Sequence, residues 1–218
     1  MNIITDSFTY AFRGSGKYML IIGAVMNVIA SICMFAPLFG FFAYIFLASY
    51  FCSTYFTIIQ SSAIGDSEAP EFPDASNILE DLVWPFFKVL GLMLLSFSPF
   101  LIYTLFIGDN ESIANILLIV GCIYLPMSLL AVSVLGYLGA ATPTIVIPSI
   151  FKAGWLYWLA VVLLAIIYSL EGVASDALEK IFFIQPIIMG VVSMYVLMTS
   201  ARILGLVYRN KEEELGWL

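Results

Sequence analysis

Of the 218 residues, 62% are hydrophobic and 11% are charged, against about 45–50% apolar and about 25% charged in a soluble domain. That gap excludes an ordinary soluble fold, and a net charge of -7 dispersed over several polar segments excludes a nucleic-acid partner. The absence of histidine excludes chemistry built on an imidazole base, a histidine metal ligand or a Ser–His or Cys–His pair. The class that remains is an all-α, polytopic membrane helical bundle. Cys33, Cys52 and Cys122 lie within apolar stretches as small hydrophobes, with no metal or disulfide spacing.

The first seventeen residues place Ile4, Phe8, Ala11 and Phe12 on one helical face and Asp6, Thr9 and Arg13 elsewhere. This predicts an interfacial N-terminal helix over 1–17, with a disordered tail as the alternative. Arg13 and Lys17 resemble a signal-peptide n-region, but the apolar stretch after them is far too long and lacks a small-residue cleavage site, so the N-terminus is expected to be retained. From Tyr18 to Ile59 no residue is charged. That length is roughly twice what one helix needs to cross a bilayer. Pro37 and Gly40 divide it into spans over 18–36 and 38–59.

The segment from Gln60 to Val83 carries Asp66, Glu68, Glu71, Asp74, Glu80 and Asp81 and no basic residue. Asn77 and Glu80 fit a capping box ahead of a short interfacial helix. Span three covers 84–107, and a polar turn leads into span four at 113–138, where Pro126 predicts a kink unless neighbours satisfy the freed carbonyl. Residues 139–152, broken by Pro143 and Pro148, read as a re-entrant or interfacial connector. Span five is placed at 155–170, a polar loop at 171–180, span six at 181–201, and a cytoplasmic C-terminal tail at 202–218.

With six spans, Arg13, Lys17, Lys88, Lys152, Arg202, Arg209 and Lys211 share one side and Lys180 stands on the other. The positive-inside rule then puts both termini in the cytoplasm. Trp84, Trp155, Trp158 and Trp217 fall near the same interface, as amphipathic indoles favour.

No charge is expected at mid-depth, since Lys88 and Arg202 stand at helix ends from which their stems can snorkel. Asn27, Ser96, Ser98, Asn115, Gln185 and Ser193 are the intramembrane polar residues, read chiefly as helix–helix hydrogen-bonding groups. Ala48 with Cys52, Ser49 with Ser53, and Gly136 with Ala140 offer small-residue spacing for close packing. The acidic segment does not match an EF-hand and reads as a solvated loop, with Asp66, Glu68, Glu71, Asp74, Glu80 and Asp81 as a partner-contact surface. No catalytic, cofactor-binding or metal-binding residue is predicted, and no cofactor.

Three stretches carry a family likeness: Gly65 to Asp74 ahead of Glu80-Asp81, then Pro143 to Ile150, then Arg202 to Tyr208 with Leu215-Gly216-Trp217. Together they resemble an uncharacterised family of bacterial multi-pass inner-membrane proteins and are loosely similar to the Yip1-like group, with Phe72 standing where that pattern has tryptophan. The resemblance implies a helical bacterial inner-membrane protein without transferable ligand or catalytic residues. The sequence therefore predicts a non-enzymatic subunit, assembly factor or membrane organiser, whose partners are the lipid bilayer and a membrane protein or a second copy of itself. The alternative is a channel or permease for a small solute, with a polar cavity reaching mid-membrane near Asn27, Asn115 or Gln185.

Overall fold

The computed structural model describes residues 3–70, 77, 79–108, 110–179, 181 and 184–217. These form helices α1 (Ile3–Tyr10), α2 (Gly16–Cys33), α3 (Pro37–Ile64), α4 (Trp84–Phe106), α5 (Glu111–Leu135), α6 (Pro143–Ala153), α7 (Trp155–Leu178) and α8 (Gln185–Leu215), with no strand among the described residues. Local chemistry sets several boundaries. Pro37 opens α3, and Gly65, at φ +101°, closes it in the left-handed conformation that glycine adopts without strain. Asn110 caps α5 by accepting the Ser112 N–H at 2.9 Å.

Six helices are long and apolar enough to cross a bilayer: α2, α3, α5, α7, α8, and α4 together with the π-helical turn Leu79–Val83 that leads into it. The chain is a multi-pass membrane protein. Three spans run past their expected ends. α3 continues to Ile64, α7 continues to Leu178 through residues read as a polar loop, and α8 continues to Leu215 through the expected tail. No proline interrupts these extensions, and Gly172 alone does not stop a helix. The connector at 139–152 is a 3-10 turn, Leu138–Ala141, followed by the short helix α6.

α8 is the central post, touching α1, α2, α3, α5, α6 and α7. Hydrocarbon supplies no hydrophobic drive between helices, so close backbone approach and hydrogen bonds must hold them. The close approaches are made by glycines outside the pairs expected from spacing. A Cβ at Gly190 would lie 2.6 Å from Ala24 Cα, and one at Gly205 would lie 2.3 Å from Ser62 Cβ and 2.8 Å from the Ile59 carbonyl oxygen. Gly136, by contrast, ends α5 at φ +83°, where a Cβ would meet nothing within 4 Å.

α3 and α5 are linked by Gln60 Nε2 donating to the Ser133 carbonyl at 2.9 Å and Ser133 Oγ donating to the Phe56 carbonyl at 3.2 Å. α5 and α7 meet where Pro126 interrupts the α5 ladder. The Tyr157 hydroxyl donates to the Ile123 carbonyl and accepts the Met127 N–H at 3.2 Å, bridging the partners of one broken helical bond. Tyr157 is wholly buried there.

Packing is uneven along the bundle axis. Buried residues of α5 concentrate at Met127–Ser133, towards the end carrying both termini. At the opposite end, the tip of the α2–α3 hairpin exposes Phe35, Leu38 and Phe39, that of α4–α5 exposes Phe106 and Ile107, and α7 exposes Leu170 and Val173.

Tyr157→Phe should strand the Met127 N–H and the Ile123 carbonyl in the interior, at about 1–3 kcal/mol for each unsatisfied group. Denaturant titration of the detergent-solubilised protein should show that loss; wild-type stability would contradict the bridging role.

Candidate functional site

The most elaborate polar arrangement lies at the terminal end, around Arg202. Its side chain is fully buried rather than snorkelling as the sequence suggests. Nε and Nη2 donate to Asp6 Oδ2 at 3.0 and 2.8 Å, and Nη1 donates to Ser62 Oγ at 3.2 Å and to the Asp66 carbonyl. The guanidinium also lies over the Tyr10 ring, 4.7 Å from its centroid, adding a cation–π contact. The other Asp6 oxygen accepts from Arg13 Nη1 at 2.5 Å. One carboxylate thus serves two guanidinium groups.

α1 turns Asp6, Ser7 and Tyr10 inward against α8. Of the expected apolar face, Ile4 and Phe12 are exposed, Phe8 is half-buried and Ala11 is buried. Asp6, read from the sequence as lying off that face, is taken up by Arg202. Tyr195, two turns earlier on α8, donates its hydroxyl to the Phe8 carbonyl at 3.0 Å and sets its ring 5.7 Å from that of Phe12.

The same cluster fastens the start of the acidic loop by its backbone. The carbonyls of Gly65, Asp66 and Glu68 accept from Arg209, Arg202 and Tyr10, and those of Ala69 and Pro70 face Ser15 Oγ at 2.6 and 3.0 Å. Ala69 is buried and pairs with Gly14 through an isolated backbone bridge. The loop is therefore anchored, not wholly solvated. Asp66 Oδ2 accepts from Ser61 Oγ at 3.0 Å, whereas Glu68 and Glu80 are exposed. Asp81, rather than the expected Glu80, reaches back to accept the Asn77 N–H at 3.1 Å, because the turn that follows is π-helical and not α-helical. Glu71 and Asp74, like Lys180, lie outside the described residues.

Burial alone would raise the Asp6 pKa, but hydrogen bonds and charge from Arg13 and Arg202 outweigh it and hold the carboxyl below its ordinary value of 3.8. Burial pushes the Tyr10 phenol up to about 12 against the opposing charge of Arg202, so at neutral pH it keeps its proton for the Glu68 carbonyl.

Asn27, Asn115 and Gln185 do not converge. Asn27 Nδ2 donates to the Pro186 carbonyl at 3.1 Å, linking α2 to α8 beside Gln185, while Asn115 is exposed near the start of α5. None of them lines the cavity of about 630 Å³ between α3, α4, α5, α7 and α8, whose walls are almost entirely apolar. Its charged group lies in the stretch expected to be a polar loop: Glu171, which accepts from Ser193 Oγ at 2.5 Å. Ser96, another of the expected polar contacts, is buried on α4.

No family model matches the chain, and no curated protein or solved structure is significantly similar to it.

Asp6→Asn should leave Arg202 buried without its countercharge, at about 3–5 kcal/mol, and should expose the α1 segment to protease; unchanged stability and protection would refute the clamp. The pH dependence has a fixed sign. Because the folded pKa of Asp6 is depressed, its contribution is complete above the ordinary value of 3.8 and is lost as pH falls through the folded value. Wild type should therefore release α1 on acidification in that range, and Asp6→Asn should lack this step.

Proposed function

We propose that the protein is a non-catalytic subunit, assembly factor or organiser of a bacterial inner membrane, acting through protein and lipid contacts at a cytoplasmic face. The observation that carries this reading is the way the acidic loop is held. Its carbonyls are taken up by Arg209, Arg202, Tyr10 and Ser15, leaving the Glu68 side chain outward. A segment fixed through its backbone presents its carboxylates at little further entropic cost, which suits it to docking a basic juxtamembrane segment of another membrane protein or of a second copy.

Cytoplasmic orientation is supported by the basic residues at that end: Arg13, Lys17, Lys88, Lys152, Arg202, Arg209 and Lys211. Trp84, Trp155 and Trp158 are exposed at the starts of α4 and α7 on the same side, as an interfacial belt requires. Trp217 serves the fold instead, stacking on Tyr208 at 5.5 Å and donating to Ser149 Oγ at 3.1 Å, while Lys152 reaches the Leu215 carbonyl at 3.3 Å. The C-terminus is thereby latched to α6.

A photo-crosslinking residue placed at Ser67 should give discrete adducts in native membranes, and the combined change Glu68→Gln, Glu80→Gln and Asp81→Asn should abolish them at unchanged protein level. Adducts that persist after charge removal, or none in the parent protein, would count against a docking surface. A cysteine at the same position should react with a membrane-impermeant thiol reagent in inside-out vesicles and stay unlabelled in intact cells; the reverse pattern would overturn the orientation.

A further inference from the structure

The cleft has a directional chemistry. Tyr157 pins α5 to α7 at the terminal end, and α7 has no extended interface with α4 or α5, which leaves a gap between these walls in the membrane-spanning part of the bundle. Phe51, Phe97, Leu125, Pro126, Leu164 and Leu197 make its walls apolar. Its volume of about 630 Å³ falls within the range of pockets that enclose a small-molecule ligand.

Glu171 is the lining residue of α7 farthest along the helix from Tyr157. It lies sixteen residues after Trp155 on a continuous helix, about 24 Å along the axis, whereas the hydrocarbon of a bilayer is roughly 30 Å thick. With Trp155 at the interface, this carboxyl group remains below the far boundary of the hydrocarbon. Its polar contact among the described residues is the Ser193 hydroxyl, and no lysine or arginine among them lines the cleft. Tyr55 and Tyr168 add aromatic faces nearby, with the Tyr168 hydroxyl 3.3 Å from Ser200 Oγ. An acidic group at this depth calls for a partner of opposite charge.

We propose that the cleft binds a single-chain amphiphile with a protonated amine head, entering from the bilayer with its chain along α5 and α7 and its ammonium on Glu171. Charge selects this class. A carboxylate or phosphate head meets repulsion from Glu171 with no cation among the described lining residues to offset it, and a neutral alcohol forgoes the charge-assisted hydrogen bond. The aromatic rings offer the ammonium further attraction.

The chain carries its own reporters. Cys52 and Cys122 line the cleft, while Cys33 on α2 lies outside it and serves as an internal reference. In phosphatidylcholine nanodiscs, hexadecylamine should slow labelling of Cys122 by a lipophilic maleimide saturably and by about tenfold, a charge-assisted contact being worth at least that factor. Cys33 labelling should not change, and hexadecanol and palmitate should protect little. Glu171→Gln should abolish protection by the amine while leaving the ligand-free labelling rates at wild-type values, which separates lost binding from lost fold. Equal protection by all three chains, protection that survives Glu171→Gln, or none by the amine would each overturn the proposal. Failure of the loop crosslinks would not affect it, since the two sites share no residue.

Discussion

The buried ion pair between Arg202 and Asp6 is the constraint around which the terminal end is organised. A guanidinium taken fully out of solvent needs a countercharge and acceptors for its remaining donors, or its desolvation goes uncompensated. No acidic residue on α8 serves; the chain brings Asp6 from its other end, Ser62 from α3 and the Asp66 carbonyl from the loop beyond. These requirements fix the order of assembly in space. α1 must lie along α8 with its polar face inward, α3 must end beside Arg202, and the loop must turn immediately after Gly65. Such a cluster contributes more to uniqueness than to net stability, because any alternative packing leaves a bare charge in the interior.

From that fixed end the rest follows by the weak forces available in a membrane. Glycines let α8 approach α2 and α3 to backbone contact, and side-chain hydrogen bonds cross between helices at Gln60, Ser133 and Tyr157. Most of these ties lie in the terminal half. Towards the other end Asn27 holds α2 to α8, but little joins α5 to α7, so apolar surface there faces hydrocarbon or the cleft. Where burial of apolar surface between helices brings no gain over lipid, α5 and α7 need not close on each other.

The sequence makes the six spans, their order and the shared side of the tryptophans legible, because length and apolarity alone decide whether a helix can cross. Charges were harder to read. Snorkelling is the low-cost default for a basic residue at a helix end, and nothing local reveals that Arg202 has a carboxylate partner 196 residues away. Asp6 looked solvated for the same reason: amphipathicity ranks faces by hydrophobicity and ignores a buried charge that needs an acid. Glu171 reads as loop because the apolar run stops at Leu170, although helix continuity depends on backbone hydrogen bonds, which persist to Leu178. The packing glycines are separated by too much sequence to form a local motif; Gly190 meets Ala24 and Gly205 meets Ser62 only through the crossing of helices.

The two polar centres make unequal demands on α8, which both share. Ser200 faces the cleft side through Tyr168, and Arg202, two residues on, faces the clamp. A post held by backbone contact at Gly190 and again at Gly205 has little freedom to tilt, since either crossing would have to open. The α4–α5 hairpin is likewise fixed to α3 through Gln60 and Ser133. α7 packs along α8, with Tyr157, Ala160, Leu164 and Ile167 buried, and Tyr168 and Glu171 add side-chain contacts to hydroxyls of α8. An occupant of the cleft therefore competes with those two side-chain contacts and leaves the α7–α8 packing, the α8 crossings and the clamp in place.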